Sequence, residues 1–140
     1  MKNWEELKDA VRKVSKDKEM AKSIVKMVGI RRDALKLLED KADFTSISVE
    51  NYYEIIKELI TGLMAVEGYK TLSHEALVVY LSYKHKEFSL AEIVLIDEFR
   101  KLRNEIVYRG FFVEPAFLNR NKAKIDDIIE KLLRLVKSNL

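Results

Sequence analysis

Apolar residues recur every three or four positions along almost the whole chain, which is the spacing of amphipathic helices. Trp4, Leu7, Val11 and Val14 form a short stripe, and Met20, Ile24, Met27, Val28, Leu35 and Leu38 form a longer one interrupted by Arg31. These predict two amino-terminal helices, or one bent near Ser15. Gly29 lies inside the second stripe, where it weakens a helix and is expected to permit close packing. Residues 42–47 read as a loop, with Ser48 as the N-cap of a helix that carries Tyr52, Ile55, Ile56, Leu59, Ile60, Leu63 and Met64 on one face. Gly68 is placed to stop that helix in a left-handed conformation. Ser73 then caps a shorter helix through Leu77, Val78 and Leu81, ending near Lys84. Ser89-Leu90-Ala91-Glu92 has the form of a capping box and opens a helix running towards Tyr108, with Gly110 as its stop. Pro115 suits the first turn of a last helix, whose inward face is Ile125, Ile128, Ile129, Leu132, Leu133 and Val136. No segment alternates strictly in twos, and no repeat or linker interrupts the pattern. The prediction is an all-α fold, an antiparallel bundle of five or six helices forming one domain over residues 1–140.

Composition narrows the chemistry. A chain of 140 residues, 48% hydrophobic and 35% charged, has the makeup of a helical globular domain. Cysteine is absent, which excludes disulfides, thiolate metal sites and cysteine nucleophiles. The two histidines, His74 and His85, fall at a predicted helix start and a predicted helix end, neither with a second ligand at metal-binding spacing. They read as capping or surface residues, and no metal or cofactor is expected. No H-E-x-x-H, glycine-rich phosphate loop or G-x-S-x-G elbow is present. The first residues lack the apolar core of a signal peptide, and no stretch approaches the roughly 20 apolar residues of a membrane-spanning helix. The expectation is a cytoplasmic protein without a membrane partner. Glutamine is absent and Lys and Glu dominate the charge, a bias of hyperthermophilic proteins.

The net charge of +3 is too small to announce nucleic-acid binding, and DNA is not an expected partner. It is unevenly spread, with 12 basic and 8 acidic residues in positions 1–41 against 14 and 15 in the remainder. Within the first part, Arg31 and Arg32 with Lys22, Lys26 and Lys36 make a basic strip, read as a solvated face. Tyr52, Tyr53, Tyr69, Tyr80 and Tyr83 coincide with apolar phases and read as core or interface aromatics.

The helix after Ser89 concentrates the remaining chemistry. Advancing about 100° per residue, Leu95, Phe99, Leu102 and Ile106 share one sector and are expected to face the core. Asp97, Lys101, Asn104 and Tyr108 cluster opposite, with Arg100 beside them and Arg103 on the flank. Arg103 and Tyr108 stand about 140° apart on a straight helix, so one helix is not expected to aim both at one point. A guanidinium such as that of Arg103 binds phosphate oxygens through two parallel donors. Tyrosine titrates near ~10 against ~6.5 for histidine, so Tyr108 would seldom act as a base at neutral pH. By itself, this pattern also fits a solvated helix face with a glycine cap.

The run from Phe99 to Gly110 resembles the signature of the HEPN superfamily, R-[N/D/H]-x-x-x-H near a helix end. Arg103 and Asn104 match, and Tyr108 occupies the histidine position. Asn51-Tyr52-Tyr53-Glu54, Gly68-Tyr69-Lys70 and Ser73-His74-Glu75 also look like the middle of archaeal-type HEPN proteins, so the likeness covers most of residues 48–137. The resemblance implies a homodimer whose motif helices face each other, with Arg103, Asn104 and Tyr108 of both chains forming one ribonuclease-type site, here degenerate. It further implies RNA as ligand, with Arg100, Lys101 and Arg109 as contacts, and nuclease activity weak or lost through Tyr108. An active metal-independent endoribonuclease of the toxin kind is the enzyme alternative. The other is an interaction module for a small nucleotidyltransferase, as in HEPN toxin–antitoxin pairs. In some such pairs the partner modifies a tyrosine two residues after the motif histidine, but that position is Gly110 here.

Overall fold

The computed structural model describes all residues, Met1–Leu140, as a bundle of six α-helices with one small antiparallel ribbon. The helices are α1 (Trp4–Leu7), α2 (Lys18–Leu38), α3 (Thr45–Glu67), α4 (His74–Lys84), α5 (Leu90–Arg109) and α6 (Pro115–Lys137). Strands β1 (Val11–Lys13) and β2 (Tyr69–Thr71) make the ribbon. No helix is long and apolar enough to cross a membrane.

Helix α3 is the axis of the fold, and α2, α4, α5 and α6 pack around it. Its predicted inward face is intact: Tyr52, Ile55, Ile56, Leu59, Ile60, Leu63 and Met64 are all buried, and they join Val28 and Leu35 of α2, Phe99 of α5 and Ile125, Ile129 and Leu132 of α6 in one continuous core. At about 25 cal/mol per Å² of apolar surface, each such buried side chain contributes ~1.5–3 kcal/mol against the entropy of ordering the chain. The predicted stops and caps of this region also hold. Gly68 ends α3 at φ 87°. The Ser73 hydroxyl accepts the Ala76 N–H at 3.1 Å, and Pro115 opens α6.

Four expectations are corrected. The amino-terminal stripe is helical only through Leu7. After a 3₁₀ turn at Lys8–Ala10, Val11–Lys13 extends and pairs with β2, Val11 opposite Thr71 and Lys13 opposite Tyr69. Periodicity cannot reveal a ladder whose partner lies this far along the chain. In α2 the inward row is Ala21, Val28 and Leu35, with Met20 and Met27 turned to solvent. Gly29 has open space around its Cα, and the close approach occurs instead at Gly62, where an added Cβ would meet Ile24 Cγ2 at 3.4 Å. Helix α3 begins at Thr45, with Phe44 and not Ser48 at the cap position, because the 3₁₀ turn Ala42–Phe44 runs directly into it. Ser48 is therefore a buried helical residue and not a cap.

Polar contacts then fix the helices' relative positions. Two N–H groups of Arg31 donate to Glu58 Oε1 at 2.9 and 3.2 Å, joining α2 to α3, and Arg32 pairs with Glu130 of α6. These two members of the predicted solvated strip are thus inter-helix ties. The far end of α4 is held by His85, whose Nε2 lies 2.8 Å from Glu67 Oε2, while the Tyr80 hydroxyl donates to Glu67 Oε1 at 2.6 Å. The indole of Trp4 stacks on the Tyr83 ring at 4.5 Å, closing α1 over the small cluster of Leu7, Ala76 and Val79.

Candidate nucleic-acid interface

Helix α5 is set by its two ends. At the start, Ser89 and Glu92 form the predicted capping box, with Glu92 N–H donating to Ser89 Oγ at 3.1 Å and Ser89 N–H to Glu92 Oε1 at 2.9 Å. Lys131 of α6 binds the same Glu92 carboxylate at 2.8 Å. Burial alone would raise the Glu92 pKa, but these hydrogen bonds outweigh it and leave the carboxyl below its ordinary value. At the other end Gly110, φ 63°, turns the chain left-handed, so that its N–H reaches the Ile106 carbonyl and the Phe111 N–H reaches the Glu105 carbonyl, at 3.1 and 3.2 Å. The Gly110 bond is the 5→1 closure of an αL cap. Beyond it, Val113 N–H donates to Ser46 Oγ at 2.8 Å and ties the connection to the start of α3.

The side of α5 that faces inward is broader than the sequence pattern predicts. Besides Leu95 and Phe99, it buries Ile93, Ile96 and Asp97. Positions seven apart on a helix point within about 20° of each other, so the buried Ile93 and Ile96 are continued along the same rows by Arg100 and Arg103. Those two arginines were assigned to the polar side and its flank. They lie instead over α3 and α4, with side chains only 14% and 18% exposed. Asp97, also assigned to the solvated side, is 6% exposed, because Arg100 Nε binds it at 2.7 Å and Lys101 Nζ at 3.3 Å.

Arg103 is placed differently from every other inter-helix arginine in the chain. Its Nε lies 3.5 Å from Glu54 Oε1 of α3 without hydrogen-bond geometry, and this buried Nε has no other protein acceptor. One Nη1 contact reaches Asn104 Oδ1 at 3.4 Å, at the long limit of a hydrogen bond. Glu54 is meanwhile engaged by Lys57. The guanidinium carbon stands 6.0 Å from the centre of the Tyr108 ring. A long side chain curling round the helix thus brings together two residues that ideal geometry separates, so the expected divergence of Arg103 and Tyr108 is corrected. Tyr108 itself is 75% exposed.

Of the remaining expected contacts, Lys101 projects outward, and Arg109 is exposed with only a 3.8 Å approach to Glu105. Arg100 binds Asp97 through Nε. Val107, Tyr108, Phe111 and Phe112 add an exposed apolar surface at the same end of α5.

Two further residues reach this site. Tyr53 of α3 is buried with a hydroxyl that has no protein partner. Burial raises its pKa, and the charges of Arg100, Glu54, Arg103 and Asp97 act on it. The His74 ring, at the first position of α4, lies 6.0 Å from the Tyr53 ring. Burial lowers the His74 pKa, and the positive charges of Lys57, Arg103 and Arg100 push it further the same way. Asp97 had a legible signal in its spacing to Arg100 and Lys101. Glu54 and His74 come from other helices, and only the folded chain brings them to Arg103.

No group of three or more His, Asp or Glu side chains is arranged to hold a metal ion. A cavity of about 520 Å³ lies elsewhere, between β1, the start of α2 and the end of α3, with Met20, Met64 and Tyr69 in its wall. Comparison of the chain with family models, curated proteins and solved structures finds no match.

Proposed function

We propose that this chain is an RNA-binding protein of HEPN type that acts as a homodimer, with Arg103 and Asn104 as its phosphate-binding pair and Tyr108 in the place of the usual histidine. The observation that carries this reading is the state of Arg103. Arg31 and Arg32 have their guanidinium groups tied by Glu58 and Glu130, as structural arginines do. Arg103 is more shielded than either, yet its nearest acceptors stand at 3.4 and 3.5 Å. A desolvated guanidinium with loose partners gains from a phosphate, which offers bidentate, charge-assisted hydrogen bonds.

The outer side of α5 supports the second element of the proposal. Leu90 and Val94 are 79% and 54% exposed near the start of the helix, and Tyr108, Phe111 and Phe112 make a second exposed group around its end, with Lys101 between the two. Exposed apolar surface of this kind, rimmed by Lys101, Glu105 and Arg109, is the sort buried in subunit contacts.

The test combines solution mass with RNA binding. Sedimentation should give twice the 16.4 kDa protomer mass, and a labelled single-stranded RNA should bind wild type at least ~10-fold more tightly than Arg103→Ala, as for loss of a charged hydrogen-bonding pair. A protomer-sized particle, or equal binding by both proteins, would overturn the reading.

A further inference from the structure

The cavity beside the β1–β2 ribbon shares no residue with the Arg103 site. Its volume of about 520 Å³ falls in the ~300–1,000 Å³ range of small-molecule sites. The buried side chains of Met64, Ala65 and Leu77 make its floor, and Val14, Met20 and Leu72 line it from exposed positions, Leu72 at 89% exposure. Apolar side chains left facing water in a recess gain from any apolar group that covers them. The thioethers of Met20 and Met64 adapt to the shape of such a group.

The same cavity is lined by two cations that the fold leaves unpaired. Arg12 of β1 and Lys70 of β2 are direct partners in the ladder, so their side chains share one face of the ribbon. Like charges opposite each other weaken strand pairing, and each strand here is only three residues long. Neither side chain belongs to any ion pair of the chain. The acids nearby are placed otherwise. Asp17, in the cavity wall, caps α2 by accepting the Met20 N–H at 2.9 Å, and Asp9 is no part of the wall.

We propose that this cavity binds a small amphipathic organic anion, a carboxylate with an apolar tail on Met20, Met64 and Leu77 and its head beside Arg12 and Lys70. The two observations select this class together. The apolar floor calls for a hydrocarbon body, which a bare phosphate or acetate lacks. The cross-strand pair calls for one anionic head, which converts a repulsion across the ladder into two attractions. The site is independent of the RNA-binding reading of Arg103.

The probe is decanoate, with decanol as the same tail without charge and acetate as the head without a tail. Calorimetry measures binding, the methyl resonances of the four methionines locate it, and circular dichroism follows folding. Decanoate below its micelle concentration should bind and shift the Met20 and Met64 methyls, leaving Met1 and Met27, which lie outside the wall, unmoved. Decanol should bind at least ~5-fold more weakly, and Arg12→Gln and Lys70→Gln should each weaken decanoate by about the same factor, as for one partly screened charge pair. Both positions are exposed, so these variants keep the fold. Met20→Trp, which fills the recess from an exposed position, should weaken decanoate and decanol alike by at least ~10-fold. Equal affinity for decanoate and decanol would overturn the role of the cations, and acetate binding as tightly as decanoate would overturn that of the apolar floor. Methyl shifts confined to Met1 or Met27, unchanged binding by Met20→Trp, or no binding of decanoate by wild type would overturn the site itself.

Discussion

Arg103 Nε and Glu54 Oε1 face each other at 3.5 Å across α5 and α3, shielded from water yet out of hydrogen-bonding geometry. The carboxylate neutralises the guanidinium without saturating it, and competes with any incoming phosphate. Glu54→Gln should therefore tighten RNA binding by about fivefold, roughly the ~1 kcal/mol of a partly screened charge pair. Anisotropy titration at fixed salt checks this, and unchanged affinity would show that Glu54 does not face the ligand.

The link from α3 to α4 through Glu67 and His85 gives stability a defined pH window. Burial tends to raise the Glu67 pKa, but hydrogen bonds from His85 and Tyr80 outweigh it and leave the pKa lowered from 4.5, so this contribution is complete above 4.5 and lost as pH falls through the folded value. The His85 pKa is raised from 6.5, chiefly by its hydrogen bond to Glu67, so its contribution is complete below 6.5 and lost as pH rises through the folded value. The pair is strongest between those limits. Melting curves of wild type and His85→Gln should differ most between pH 4.5 and 6.5 and converge on either side.

Two glycines with left-handed backbones should respond unequally to alanine. Both substitutions meet the ~1 kcal/mol backbone cost of a side chain in that region. At Gly110 the new Cβ meets open space, whereas at Gly68 it would stand 3.0 Å from the Val14 carbonyl oxygen, which cannot withdraw without disturbing the chain beside β1. Gly68→Ala should lower the melting temperature clearly more than Gly110→Ala. Equal losses would mean that the contact at Val14 relaxes without cost.

Tyr108→His puts an imidazole within reach of Arg103, whose guanidinium carbon now lies 6.0 Å from the phenol ring. A side chain titrating near neutrality should raise cleavage of single-stranded RNA above that of the wild type. Since Tyr108 is largely exposed, folding should be unaffected. The same cleavage rate in a folded variant would argue against proton transfer at this position.

Phe112 is 81% exposed and packs on nothing in the protomer. Phe112→Ser should leave protomer stability within ~0.5 kcal/mol and weaken self-association, seen as a shift to smaller mass on dilution in sedimentation. Retention of the wild-type association would show that Phe112 takes no part in a subunit contact.

The bundle was legible where local rules and burial agree. The period of Tyr52 through Met64, the Ser89 capping box, Gly68, Gly110 and Pro115 each act within a few residues, and each stands where the pattern puts it. The failures share one physical origin. Val11–Lys13 is extended because Tyr69–Thr71 supplies its hydrogen bonds, and Arg103 turns inward because Glu54 and Tyr53 lie beneath it. Both depend on segments distant in sequence. An apolar pattern also cannot identify an inward row that changes from Ile93 and Ile96 to Arg100 and Arg103, since charge in such a row reads as solvent-facing. Arg103, Asn104 and Tyr108 stand out by residue type and spacing, while their surroundings came only with the fold.

The ribbon of β1 and β2 bears on how the chain is made. Val11 has no strand partner until Thr71 has been synthesised. During translation the early segment must wait unpaired while α2 and α3 take shape behind it, and its three-residue strand can zip up only after α3 has turned at Gly68.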